Sequence, residues 1–134
     1  MKSRAILIVI MCVLLIACAG MQATNQADKL NTALIQYGAD LRWARINDAY
    51  NYHVNQDGEQ PPLDLAAMEH FSITGFRPVN PVLNEAGTEA TIPVEIDYYD
   101  DRYGTLKKLK TTQIWWYREE AKRWFIESDF PDFK

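Results

Sequence analysis

The side chains able to do acid–base or metal chemistry in this chain are few and scattered. Only two histidines occur: His53, five residues after Asp48, and His70, directly after Glu69. A proton-transfer site needs an Asp or His base beside a Tyr or a second acid in a dry pocket. Tyr37, Asp48, His53 and Asp97 supply those types, but no spacing makes them converge. No catalytic residue is assigned, and the chain is not read as an enzyme. His53 is expected at a helix end, where its charge would meet the helix dipole favourably. Asp97, Asp100 and Asp101 flank a predicted hairpin turn and lack the EF-hand spacing, so they read as a solvated acidic turn rather than a calcium site. Two separated histidines make a poor zinc set, and neither metal nor cofactor is expected. The chain has no Gly-rich phosphate loop, nucleophile elbow or His-Glu-x-x-His motif. Lys107, Lys108 and Lys110 form the one basic cluster. On a strand, Lys108 and Lys110 share a face, where they either protect an edge or meet a partner's acidic patch.

Cysteine chemistry is concentrated at the N-terminus. Ala5 to Ala17 carry no polar side chain except the Cys12 thiol, and Lys2 and Arg4 precede them. Thirteen apolar residues reach ~20 Å as a helix, short of the ~30 Å hydrocarbon core. A basic n-region, an apolar h-region and small residues at its end read as a secretory signal over residues 1–17. The h-region closes on Leu15-Ile16-Ala17-Cys18, followed by Ala19-Gly20, which resembles a bacterial lipobox. That resemblance implies cleavage between Ala17 and Cys18, diacylglycerol on the Cys18 thiol and acylation (palmitate-type) of the new amine. Acyl chains contribute ~0.8 kcal/mol per buried CH₂, so two or three make a lasting membrane anchor. Enterobacterial-type lipoproteins use Asp after the cysteine for inner-membrane retention. Ala19 stands there instead, which implies the outer membrane, facing the periplasm. The other outcome weighed is cleavage after Ala19 or Ala23, leaving a free exported protein.

Removal of Lys2 and Arg4 takes the formal charge from −4 to −6. An acidic protein gains nothing from anionic headgroups, and without a basic stripe it is not expected to bind nucleic acid. Cys12 leaves with the signal and Cys18 takes lipid, so no disulfide staples the domain. All four Trp, seven Tyr and five Phe lie beyond the signal, and the core must be built from them.

Residues 18–27 read as the lipidated cysteine and a short flexible tether, and residues 28–134 as a single domain. Leu30, Leu34, Tyr37, Leu41 and Ala44 step by four and three residues, one face of a helix. Asn47-Asp48 is the expected N-cap of a second helix. A third is expected from Asp64 to His70, with Leu65 and Met68 inward. After His70 the period becomes two. Ala90, Ile92, Val94, Ile96 and Tyr98 share one strand face, and Pro93 marks an edge, a bulge or an outward N–H position. Thr105 to Tyr117 reads as a long strand, with Ile114 and Trp116 on one face and Trp115 and Tyr117 on the other. Trp124 to Ser128 pairs back. Helices followed by a meander of about four antiparallel strands define an α+β domain.

With Gln36-Tyr37-Gly38-Ala39-Asp40-Leu41-Arg42-Trp43 and Ala49-Tyr50, this order resembles small proteobacterial lipoproteins of the nuclear transport factor 2-like, or cystatin-like, superfamily. The resemblance implies N-terminal helices packed on a curved antiparallel sheet, forming a cone. Tyr37, Ile96, Tyr98, Ile114, Trp116 and Trp124 are then the candidates that line its pocket or fill its core. Members include isomerases, dehydratases and binding modules, so the fold does not supply a function. The expected function is a non-enzymatic, lipid-anchored module binding a protein or envelope component. Its alternative is a small-molecule-binding or isomerase-like domain using the cone. Homodimerisation through the sheet is a further mode that the resemblance implies.

Overall fold

In the computed structural model, side chains are described from Gly20 to Lys134. The side chains of Ala17 and Cys18, where cleavage and lipidation are expected, lie outside those described. Helices α1 (Lys2–Arg42), α2 (Ile46–Tyr50) and α3 (Leu65–Met68) precede strands β1 (Phe71–Pro78), β2 (Val82–Leu83), β3 (Glu89–Asp100), β4 (Thr105–Arg118) and β5 (Arg123–Ile126). The sheet runs β1-β3-β4-β5, all antiparallel, with β2 continuing along the β3 edge that β1 occupies. It curls into a half-barrel against α1, giving the α+β cone architecture.

The helical stripe packs as its spacing requires: Leu30, Leu34, Tyr37 and Leu41 are all buried. Ala44 is not, because α1 ends at Arg42 and Ala44 takes a left-handed φ of 57° that reverses the chain. That reversal lets Asp40 accept from Arg45 Nε at 2.9 Å. Consequently α2 begins two to three residues earlier than Asn47-Asp48 suggests. Arg45 occupies its N-cap position without a side-chain cap. In α3, Asp64 caps by accepting from the Ala66 and Ala67 amides. Leu65, expected to face inward, is exposed, while Met68 packs against the core.

The stretch expected to be a flexible tether differs too. Residues 20–27 are helical, continuing α1. Ala, Met and Gln there favour helix, and tertiary contacts hold it. Gln26 is buried, its carbonyl accepts from Trp124 Nε1 at 2.9 Å, and Ala23 lies against Gly87.

Strand β3 is the centre of the domain. Ala90, Ile92, Val94, Ile96 and Tyr98 point inward and are buried, with exposed or half-buried residues between them. Pro93 has no N–H to pair, and its carbonyl accepts from the Val79 amide at 2.8 Å. Its side of the strand faces the break between β1, which ends at the Pro78–Val94 pair, and β2, which starts at Val82–Thr91. The β2–β3 turn closes on Asn84, whose Oδ1 accepts from the Thr88 and Glu89 amides, with Gly87 at φ 69°.

Candidate functional site

The cone is filled from every side. Tyr37 projects from α1, and Trp115 and Gln113 from β4. His53 comes from the segment after α2, which makes an isolated parallel bridge to Ile126 on the outer edge of β5. The four side chains are essentially inaccessible to solvent. After Ile126 the chain turns under the sheet, burying Phe130 and Phe133 against the same core. Tyr37 sits edge-on to Tyr52, Phe76 and Trp115, with centroids 5.7, 5.3 and 5.7 Å away. Such contacts contribute about 0.5–1.5 kcal/mol each beyond area burial.

The polar atoms within this core form a single directed chain. The Ser128 carbonyl can only accept, so His53 Nδ1 carries the proton and donates to it at 2.8 Å. His53 Nε2 is therefore an acceptor, and the Tyr37 hydroxyl donates to it at 3.0 Å. The Tyr37 oxygen accepts from Gln113 Nε2 at 3.4 Å, and Gln113 Oε1 accepts from Trp115 Nε1 at 3.0 Å. His53, Tyr37, Gln113 and Trp115 are thus each satisfied by a neighbour in the chain. Burial pushes the His53 pKa down to about 4, the Ser128 carbonyl opposing. Burial also raises the Tyr37 hydroxyl well above its ordinary value. Both are thus neutral at physiological pH, and His53 is a core residue rather than a charged helix end. The expectation of a dipole-facing imidazolium is corrected: the carbonyl that would otherwise remain unpaired comes from the C-terminal tail, 75 residues away.

Of the candidate acid–base set, Tyr37 and His53 meet, while Asp48 and Asp97 remain outside the core with side chains 61% and 37% exposed. A neutral Tyr–His pair could relay a proton, but its O–H, its N–H and the His53 Nε2 lone pair are all engaged by protein. Of the proposed lining residues, Tyr37, Ile96, Tyr98 and Trp124 belong to the buried core. Ile114 and Trp116 do not. The register pairs Ile92 with Gln113 and Ala90 with Trp115, which turns Ile114 and Trp116 to the outer face. There Trp116 packs on Phe125 and donates Nε1 to the Val54 carbonyl at 2.7 Å. Since side chains alternate strictly, one inward residue decides the parity of the whole strand. Gln113, Trp115, Phe130 and Phe133 are among the core residues that the sequence does not single out. The Trp115–Gln113 spacing of two was the available signal.

The acidic turn is engaged by cations. Asp100 is buried and accepts from Arg102 Nε at 3.0 Å and Lys107 Nζ at 3.2 Å, which hold its pKa at about 2, Arg102 first. Among the described residues, no cluster of His, Cys, Asp or Glu could hold a metal ion. Lys108 and Lys110 lie on the outer face with Arg77, gathered around Glu95, whose pKa is lowered to about 2 chiefly by Arg77. Lys108 also reaches Asp97 at 3.3 Å.

Two of the surface clefts each hold about 500 Å³. One, of about 520 Å³, runs between β4 and the C-terminal tail. The other, of about 500 Å³, separates α1 from the β4–β5 hairpin. Among the described residues, no helix is long and apolar enough to cross a membrane. Comparison with protein families, curated proteins and solved structures finds no match to this chain.

Proposed function

We propose that this chain is a lipid-anchored bacterial envelope protein whose domain binds a protein or other envelope component through its outer surface. The anchor rests on Leu15-Ile16-Ala17-Cys18. Ala19 directs it to the outer membrane, with the domain in the periplasm. The observation that carries the binding role is the filled cone. Tyr37, His53, Trp115 and Phe130 occupy the space where a small-molecule binder or an isomerase would hold its ligand. This favours a surface-binding module over an enzyme. Since residues 20–27 are helical, they advance only ~1.5 Å each rather than ~3.3 Å. The domain therefore rides closer to its membrane than an extended tether would allow. Cell fractionation tests the anchor: the Cys18→Ala protein should leave the membrane fraction, and unchanged partitioning refutes lipidation. Crosslinking in intact cells tests the binding role, and failure to capture any envelope protein counts against it.

A further inference from the structure

Strand β4 is much longer than the neighbour that should cover it. It pairs with β3 from Thr105 to Trp116, but β5 reaches only from Trp115 to Arg118. One further bond, from the Glu127 amide to the Ile114 carbonyl at 2.7 Å, extends that pairing before the tail turns under the sheet. Phe130 and Phe133 hold the tail there, so it cannot continue as a strand.

The direction of the exposed backbone groups follows from two bonds. Ile114 presents its carbonyl to the β5 side, whereas the Tyr117 amide donates to Thr88 on the β3 side. In an antiparallel strand the N–H and C=O of one residue point the same way, and successive residues alternate. Leu106, Lys108, Lys110 and Thr112 therefore aim both groups at the open edge. All four residues are exposed, and those backbone groups have no protein partner among the described residues. The other outer edge is blunted: β1 carries a bulge between Ile73 and Gly75 and ends in Pro78. No bulge or proline interrupts β4.

The 520 Å³ cleft lies along this same edge. Its lining takes Lys110 and Thr112 from the outer side of β4 and Leu109, Thr111 and Gln113 from the inner side. A cleft touching both parities must abut the strand's edge rather than either face. The tail forms the opposite wall, where Ser128 Oγ is buried with no hydrogen-bond partner.

We propose that the β4 edge from Leu106 to Thr112 takes up an extended segment of a partner protein as an added strand, acidic on its outer-face side chains. This rests on the surface-binding role above and names its site and partner chemistry. Main-chain hydrogen bonds supply affinity in such pairing, and alternate side chains supply specificity. Outer-face acids of the incoming strand lie beside Lys108 and Lys110. With Arg77 these outnumber Glu95 and Asp97 within the local ion-pair group. The far wall carries Asp129 and Asp132, the latter paired with Lys134 at 3.0 Å, so acidity in the partner is confined to the outer face. A second copy fits poorly. Two-fold registers centred on Lys108, Leu109 or Lys110 set lysine opposite lysine, which is destabilising. The same lysines thus exclude self-pairing and select an acidic strand.

The test uses the purified full chain in detergent and a short synthetic peptide alternating glutamate and valine. A lysine–valine peptide of equal length is the control. Amide hydrogen exchange should show Lys108, Lys110 and Thr112 newly protected by the acidic peptide, with Leu109 and Thr111 unchanged. Lys110→Pro removes one edge N–H without touching the β3 ladder, and should weaken binding by roughly tenfold while circular dichroism stays unchanged. Lys108→Glu/Lys110→Glu should transfer the preference to the lysine–valine peptide. The proposal is overturned if neither peptide protects the even-numbered amides. It is also overturned if Lys110→Pro binds as wild type, or if those amides are already protected by a concentration-dependent dimer. Crosslinking in cells separates the two levels. A partner captured equally by wild type and Lys110→Pro overturns the edge assignment and leaves the binding role standing; no capture by either overturns both.

Discussion

Lowering the pH from 7 to 5.5 should destabilise this domain through one residue, His53. The unfolded chain takes up a proton at His53 below its ordinary value of 6.5, whereas the folded chain does so only below about 4. Between those values the unfolded state binds more protons, so stability falls as the pH falls. The interval corresponds to about 3 kcal/mol in all, of which about 1.4 kcal/mol is lost by pH 5.5. Below about pH 4 the loss is complete. The window above pH 5.5 is diagnostic because the depressed carboxylates of Glu95 and Asp100 act at lower pH. Their stabilising effect is complete above the ordinary carboxylate range and fades as the pH drops toward about 2. Urea unfolding of the His70→Ala protein, which lacks the other imidazole, measures the slope. A His53→Phe variant should be weaker at pH 7, because the Tyr37 hydroxyl loses its acceptor, by about 1–3 kcal/mol. It should also be flat between pH 7 and 5.5. A stability of the His70→Ala protein that does not change across that interval would refute the neutral, buried imidazole and the hydrogen-bond direction drawn from it.

Other substitutions probe the packing around the same network. Gly38→Ala would ordinarily favour a helix, but a Cβ there would lie 2.7 Å from Phe76 Cδ1 and 3.2 Å from its Cβ. Rotating the ring cannot relieve the second contact, so thermal melts should show destabilisation by about 1–3 kcal/mol. Phe130→Ala removes a ring packed on His53 and Tyr50, at 5.1 and 6.3 Å, and should cost about 3–5 kcal/mol in urea unfolding. Gln113→Leu leaves Trp115 Nε1 without its acceptor, at a cost of about 1–3 kcal/mol. Ile114→Thr, on the outer face, should cost far less than either by the same assay, and an equal loss would contradict the strand parity.

The strong periodicities were legible without any tertiary information. Leu30, Leu34, Tyr37 and Leu41 are buried where their helical spacing puts them, and β3 alternates residue by residue. Strand β4 was ambiguous for a physical reason. Its odd positions offer Leu109, Trp115 and Tyr117, and its even positions Leu106, Ile114 and Trp116, so apolar content does not choose a face. The choice lies with Gln113, whose amide is worth burying only where Tyr37 and Trp115 are waiting for it. The helix over residues 20–27 was equally hidden, since the contacts that hold it come from Gly87 and Trp124.

By itself, then, the sequence determined the class of fold, the helical stripe and the central strand, because those depend on the period of side chains along one segment. It also carries the lipobox-like run at Leu15–Cys18, which is a matter of residue identity alone. The tertiary structure decided what His53 is, whether the cone is open, and which edge of the sheet is left bare. Each depends on groups distant in sequence meeting in space. His53 is neutral because α1 and the tail supply an acceptor's donor and a donor's acceptor. The cone is closed because the last residues of the chain enter it. The β4 edge is open because Phe130 and Phe133 are buried more favourably under the sheet than the tail could pair beside it.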